Sequence, residues 1–291
     1  MIVVTAPTGQ IGRGLLARLL DGAEEPVRVI ARDPAALDPA VRERAEVVEG
    51  SHADPATVAT AFEGADTVFW LVPPDPRADD VTGHYLDFTR PACEAIGRHG
   101  VRRVVGVSSL GREFGENAGN LSSAFAMDAL IETTGVAYRS LRMPYFMENL
   151  LMQAEAIRHG AFHLPNAADR TLRLVATADV AATAADLLRV PAWSGQSSVP
   201  VLSPDSLTPR EMATTLSEVL GTPVAFHRTP IAGFRATMLQ YGMSEGWARG
   251  LVDMALAQDA GIYEPEALAA EPSPTGFRQW CEDVLRPAVR G

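Results

Sequence analysis

Along the first half of the chain, short apolar runs alternate with helical periodicity. Residues 2–5 read as a buried-type strand, and 11–20 repeat apolar positions at i, i+3 and i+4, which predicts a helix. Residues 27–31 and 46–49 predict the second and third strands. Asp54-Pro55 opens a helix through Phe62, with Asp54 as its N-cap. Residues 67–72 predict a fourth strand, closed by Pro73-Pro74. A long helix over about 80–99 follows, then a fifth strand over 103–107 that ends in Ser108-Ser109. A helix over about 121–134 stops at Gly135 and leads into a sixth strand, 137–141. Strands this rich in Val and Ile, alternating with helices, are those of a parallel sheet covered on both faces. Right-handed crossovers wind such a sheet doubly, so the predicted fold class is α/β of the Rossmann type.

The second half has a different pattern. Helical periodicity dominates at 148–159, 177–189, 209–220, 231–240 and 245–258, with short strand-like runs at 172–175, 198–202 and 224–228. Turn-rich breaks fall at 191–197 and 271–275. The pattern predicts a dinucleotide-binding domain over 1–150 and a smaller, more helical substrate-binding lobe over 151–291, with room for one strand to return to the main sheet.

Composition narrows the chemistry. All 25 basic residues are arginine, and 36 acidic residues give a net charge of −11. An acidic chain is a poor partner for nucleic acid or an anionic membrane. The absence of lysine excludes a Walker loop, a lysine-bound pyridoxal phosphate, a Schiff-base aldolase and a Tyr-x-x-x-Lys dehydrogenase pair. Cys93 and Cys281 lie far apart without metal-ligand spacing, and the six histidines show no zinc motif. No metal is expected. With no basic leader and no membrane-length apolar run, the expectation is a cytoplasmic protein.

The strongest local motif lies between the first strand and the first helix. In Thr5-Ala6-Pro7-Thr8-Gly9-Gln10-Ile11-Gly12 the glycine spacing is that of G-x-x-G-x-x-G with Ala6 in the first place. Gly9 lets backbone approach a pyrophosphate, Gly12 lets the helix lie close to the sheet, and the helix tip offers unpaired amides to the anion. Ala6 is tolerable there if the turn keeps φ negative. Arg32 ends the second strand, where an NAD site would carry a carboxylate; a guanidinium there points to the 2′-phosphate of NADP(H). A solvated loop charge is the alternative for Arg32, and Asp33, before Pro34, reads as a turn residue. Ser51-His52 and Leu71-Val72-Pro73 flank the expected adenine and ribose positions. Pro144, just past the sixth strand, completes the expected cofactor set.

The loop TAPTGQIG, Arg32-Asp33-Pro34, VVGVSSLG and TTGVAYRSLRMPYFMENLL together resemble the NmrA-like family of atypical short-chain dehydrogenase/reductase proteins. The resemblance covers residues 1–160 and continues more loosely beyond. It implies a Rossmann domain with a small substrate domain and NAD(P)(H) binding. Family members include reductases of quinones, triphenylmethane dyes and phenylpropanoids, and nucleotide sensors without turnover. Family enzymes carry Lys or His on the helix before the Gly-x-x-Tyr strand; here that position falls at about Ala124. The remaining catalytic candidates are Ser108, Ser109 and Tyr145, all placed at the carboxyl edge of the sheet. Hydroxyls there can donate to a developing oxyanion, and Tyr145 with Phe146 and Met147 equally suits an apolar pocket wall. Tyr85 is a further option, with packing as its alternative.

The site chemistry points to hydride transfer from NADPH to a small apolar or aromatic acceptor, quinone-like or an unsaturated carbonyl. Quinone reduction asks little of an acid. The rivals are a redox sensor acting on a protein partner and a non-redox, isomerase-like enzyme. A homodimer is compatible with either class. Asp128 and Glu132, at i and i+4, read as a solvated helix face. Met238, Tyr241, Met243, Trp247, Met254 and Tyr263 read as helical core or a lid over the substrate. Gly106-Val107-Ser108-Ser109-Leu110 lacks the second glycine of a hydrolase elbow.

Overall fold

The computed structural model describes residues 1–21, 25–115, 117–190, 193–268 and 270–290. In chain order the Rossmann half comprises β1 (Ile2–Val4), α1 (Gln10–Leu20), β2 (Val27–Ala31), α2 (Pro39–Arg44), β3 (Glu46–Glu49), α3 (Pro55–Phe62), β4 (Thr67–Trp70), α4 (Val81–His99), β5 (Arg103–Ser109), α5 (Leu121–Glu132) and β6 (Ala137–Met143). The remainder adds β7 (Tyr145–Phe146), α6 (Ala154–Arg158), β8 (Ala161–Leu164), β9 (Leu172–Val175), α7 (Thr177–Arg189), β10 (Gln196–Pro200), β11 (Ser206–Leu207), α8 (Pro209–Leu220), β12 (Ala225–Arg228), α9 (Ile231–Gln240) and α10 (Glu245–Asp259). Short helical turns follow to residue 290.

Seven parallel strands form the central sheet in the order β10-β6-β5-β4-β1-β2-β3. The inner strands are buried because both faces are covered: Val3, Val4, Val29, Phe69 and Val105 are each fully buried, while the edge strands β3 and β10 remain partly exposed. On one face α1 and α7 pack over Leu15, Leu16, Ala181 and Ala184. On the other, α3, α4 and α5 enclose Phe62, Trp70, Ile96 and Met127. Strand order reverses direction between β1 and β4, and doubly wound sheets open a crevice at such a point.

The unit reaches past the predicted boundary at 150. Helix α7 and strand β10 both belong to the sheet layer, and β10 pairs with β6 from Gln196↔Tyr138 to Pro200↔Arg142. The returning strand is therefore the seventh of the main sheet. The break predicted at 191–197 begins in residues 191–192, which lie outside the described set, and ends as β10 starts. The predicted helix over 148–159 is instead a 3₁₀ stretch, Met147–Gln153, running into the short α6. Two small sheets, β11-β9-β7 and β12-β8, and helix α8 enclose a second core around Phe162, Leu174, Met212, Phe277 and Trp280.

Helix α10 closes the top of the Rossmann half. Gly246 and Gly250, one turn apart, let its backbone lie against two loops; a Cβ on either would come within 1.8 Å of Asp79 O or 1.9 Å of Asn120 Oδ1. The Gly246 amide donates to Asp79 Oδ1 (2.7 Å), Ser244 Oγ donates to Ala78 O (2.8 Å), and Asn117 Nδ2 donates to Asp253 Oδ2 (2.8 Å). None of the described helices is long and apolar enough to cross a membrane.

Candidate functional site

The loop between β1 and α1 is held from beneath by Thr5. Its hydroxyl donates to Phe69 O (3.0 Å) and accepts from the Leu71 amide (2.9 Å), tying β1 to β4. Thr5 is fully buried and stands behind the loop, so it acts as a brace rather than as a wall of the crevice. Gly12 is also behind the loop, where a Cβ would lie 2.2 Å from Ala6 O; only glycine lets α1 sit this close. Ala6 itself departs from expectation. Its φ is +49°, the only left-handed non-glycine among the described residues, because the loop bends as it would with the motif's usual glycine. Gly9 caps α1 with φ −74°, and an added Cβ there would meet Ala6 O at an ordinary 3.5 Å. Gly9 is thus not required by its own surroundings. The first-turn amides of α1, which no helix can satisfy internally, lie beside it.

From this loop a single cavity of about 980 Å³ runs along the carboxyl ends of the parallel strands. Pro7, Thr8, Gly9, Gln10 and Ile11 line one end, with Arg32 at the tip of β2. The Asp33 carboxylate accepts from the Ala35 amide (2.9 Å), so it caps a short turn and leaves Arg32 as the charged group at the mouth. Arg32 is exposed, and no ion pair among the described residues includes it. His52, Leu71, Val72 and Pro73 line the next section, and Pro144 and Tyr145 the far section. His52 is 7% exposed, edge-on to Trp70 and Phe88, and its Nε2–H donates to Leu71 O at 3.1 Å. Burial drives its pKa down to about 4, against the opposing pull of the Leu71 carbonyl; nearby Arg32 and His84 add to the drop. A neutral imidazole follows, with Nε2 as the protonated nitrogen.

At the far end, β5 contributes Ser108 and Ser109, and the cavity wall also includes Ala124, Tyr85 and Phe88. Ser109 Oγ donates to Leu110 O (2.9 Å), so its proton is committed to the main chain. Burial pushes the Tyr145 phenol above the ordinary range, and a hydrogen bond with Asn149 pulls it back in part. Trp247, Leu251 and Met254 on α10 roof this end, with Tyr263 beyond them. Their spacing of i, i+4 and i+7 is one helix face. The lid alternative for this aromatic and methionine set therefore fits Trp247 and Met254, while Tyr263 is buried in a small core with Leu110 and Ile262 and Tyr241 is 76% exposed and stands apart. Among the described lining residues Arg32 is the sole arginine, and it belongs to the opposite end.

A further expectation is overturned. Asp128 is not on a solvated face: it is 0% exposed. It accepts hydrogen bonds from Ser108 Oγ (2.7 Å), Tyr138 OH (2.6 Å) and Ser140 Oγ (2.7 Å). Glu132 pairs bidentately with Arg112 at 2.7 and 2.8 Å. The signal for the buried cluster lay in β6, where Tyr138 and Ser140 alternate on one face of a strand that the pattern buries on both sides. Gly106 on β5 makes room for that tyrosine, since a Cβ there would meet Tyr138 OH at 2.2 Å. Glu148, next to Met147, also lines the cavity. Its Oε1 accepts from the Thr177 amide (3.0 Å), Thr177 Oγ1 (2.8 Å) and Trp280 Nε1 (3.1 Å), linking the start of α7 to the second core. No group of three or more His, Cys, Asp or Glu side chains among the described residues is arranged to hold a metal.

A doubly wound parallel sheet, a glycine loop beside its switch point and a cavity along its carboxyl edge define a dinucleotide-binding Rossmann protein. The chain belongs to the NAD(P)H-binding family, whose sequence model matches residues 7–191, in accord with the NmrA-like resemblance. It is 28% identical over 260 residues to an NAD(P)H azoreductase of Xenophilus azovorans, covering 87% of this chain and 86% of that one. It is 31% identical over 241 residues to the (4-alkanoyl-5-oxo-2,5-dihydrofuran-3-yl)methyl phosphate reductase of Streptomyces griseus, covering 82% and 80%. Among solved structures, the NADPH complex of an NADPH-dependent quinone oxidoreductase from Escherichia coli superposes with a TM-score of 0.79 at 21% identity, over 100% and 99% of the two chains. At that identity the likeness speaks to the fold.

Proposed function

We propose that this protein is an NADPH-dependent reductase that delivers hydride to a flat, apolar, uncharged acceptor such as a quinone, an azo compound or an unsaturated carbonyl. One observation carries the reading: a single cavity joins the amino-terminal tip of α1 and an arginine at one end to an aromatic and methionine roof at the other. The α1 amides and Gly9 suit the diphosphate, and Arg32 suits the 2′-phosphate. When bound, the nicotinamide supplies hydride. Pro144 and Tyr145 flank its expected position, and Trp247, Leu251 and Met254 exclude water and hold the acceptor by apolar contact.

The acceptor's lack of charge follows from the lining. The Streptomyces relative is named for a phosphate ester, a dianion that an arginine beside it would favour. The roofed end here has none among its described lining residues, so the azo- and quinone-type chemistry of the other relatives is favoured. The test is to follow NADPH oxidation at its nicotinamide absorbance band against a panel of quinones, azo dyes, enones and their phosphorylated counterparts. Turnover of the uncharged acceptors is expected; turnover confined to the phosphorylated ones would refute the assignment.

A second reading, a nucleotide-responsive regulator without turnover, rests on Ala124, which gives the cavity wall a methyl group where a proton donor is otherwise expected. NADPH binding with no oxidation on any acceptor would favour it. No NADPH binding would leave a non-redox use of the fold.

A further inference from the structure

The Asp128 cluster has a geometry that hydride transfer alone does not need. Asp128 Oδ1 receives Tyr138 OH, and Oδ2 receives both Ser108 Oγ and Ser140 Oγ. All three hydroxyl residues are nearly or fully buried, and of the three only Ser108 lines the cavity. A proton leaving this cluster therefore has one exit. An ionised Asp128 takes the protons of all three hydroxyls and leaves Ser108 with only lone pairs to offer the cavity. A protonated Asp128 needs one hydroxyl to turn and accept, which frees the Ser108 proton to face the acceptor.

We propose that Asp128 and Ser108 form a proton relay: Asp128 stands as a buried carboxylic acid and passes its proton, through the Ser108 hydroxyl, to the acceptor atom left anionic by hydride. This rests on the reductase reading above. The acceptor is reduced by two electrons and the dihydronicotinamide oxidised by two. Ser108 Oγ–H breaks as the acceptor's new O–H or N–H forms, Asp128 Oδ2–H breaks as Ser108 Oγ regains its proton, and Asp128 remains as carboxylate. A proton from solvent, entering through Ser108 after product leaves, restores the acid. Ser108 touches the acceptor; Asp128 is the positioning group behind it.

Burial is the leading cause that raises the Asp128 pKa, outweighing the three hydroxyl donors. The charged and titratable groups around it are neutralised or distant in role. Arg142 on β6 pulls the other way but is held by Glu266 at 2.6 Å. Arg112, after β5, is bound by Glu132 of α5 at 2.7 Å. The Tyr138 phenol is itself held protonated, chiefly by burial. From α4, Cys93 Sγ donates to Leu130 O of α5 at 3.8 Å, and burial keeps that thiol protonated, with a pKa of about 11.

The test compares two acceptors in Asp128→Asn and Ser108→Ala, the second leaving Tyr138 and Ser140 in place should the first fail to fold. An azo group reduced by hydride becomes a strongly basic nitrogen anion that needs the proton, whereas the oxyanion of a reduced quinone is delocalised and needs it little. The expected kcat loss is about 100-fold on an azo dye and at least about tenfold smaller on a quinone. Equal losses on both acceptors would overturn the relay. Independently of turnover, infrared spectra at neutral pH should show a protonated-carboxyl stretch that shifts in deuterium oxide and vanishes in Asp128→Asn. Azo turnover without that band would refute the relay alone. A band without turnover of either acceptor by the wild type would refute the reductase reading and the relay built on it.

Discussion

The two ends of the cavity are built in opposite ways. The end at α1 is backbone: amides of a helix tip, a glycine whose missing side chain admits the helix, and one side chain, Arg32, at the mouth. The loop itself is set within a dozen residues and braced by Thr5 reaching to β4. The roofed end is side chain, assembled from α10, the 3₁₀ stretch after β7 and the ends of β5 and β6, segments spread between residues 107 and 258. A site that must hold one invariant ligand is well served by main chain. One that must choose among flat acceptors is better served by side chains, which vary without disturbing the sheet.

The comparison breaks most sharply at Gly12. Its Cβ in Gly12→Ala would stand 2.2 Å from a carbonyl oxygen of the same loop, a clash with backbone that cannot rotate away. The expected cost exceeds about 4 kcal/mol, enough to unfold a marginal domain, with Tm falling steeply or no soluble protein recovered. Gly9→Ala meets only an ordinary contact, so Tm should hold within a degree or two while NADPH affinity falls. Thermal melts beside fluorescence titrations of both variants check this.

Next in size is a pH effect from His52. Its folded pKa of about 4 lies below the ordinary 6.5, so the unfolded chain binds the extra proton between those values. The stability it secures is complete above 6.5 and is lost as the pH falls toward 4, to the extent of about 3 kcal/mol. Denaturant melts across that window should show the wild type losing more stability than His52→Gln. Parallel curves would mean that the histidine titrates normally.

Arg32→Ala sharpens the contrast at the mouth. We expect NADPH affinity to drop by about 2 kcal/mol, roughly 30-fold, with NADH affinity within twofold. Equal losses for both nucleotides would show that the guanidinium does not read the phosphate. The smallest effect belongs to Ala6→Gly. Relief of a left-handed alanine is worth about 1 kcal/mol, and the added freedom of the unfolded chain takes back about half. A rise in Tm of a few degrees at most is expected.

Legibility in the sequence followed the same divide. The glycine loop, Arg32 and the strand ends were readable because their geometry depends on neighbours a few positions away. The seventh strand was foreseen only as a strand free to return, since nothing local in Gln196–Pro200 says which edge it joins. Asp128 was misread because its i, i+4 relation to Glu132 suggests a wet helix face. What buries it is Tyr138 and Ser140 from a neighbouring strand, admitted by Gly106 on another. The left-handed turn at Ala6 was misread for the opposite reason: the loop's closure over Gly12 fixes the backbone whatever residue stands there.

The most direct test of the central claim is a crystal structure of the full chain grown with NADPH. The account predicts the diphosphate on the amides following Gly9, the 2′-phosphate against Arg32, and the nicotinamide beneath Trp247 and Met254 with Ser108 beside it. A nucleotide lying in reverse, or a cavity still vacant at saturating NADPH, would contradict it.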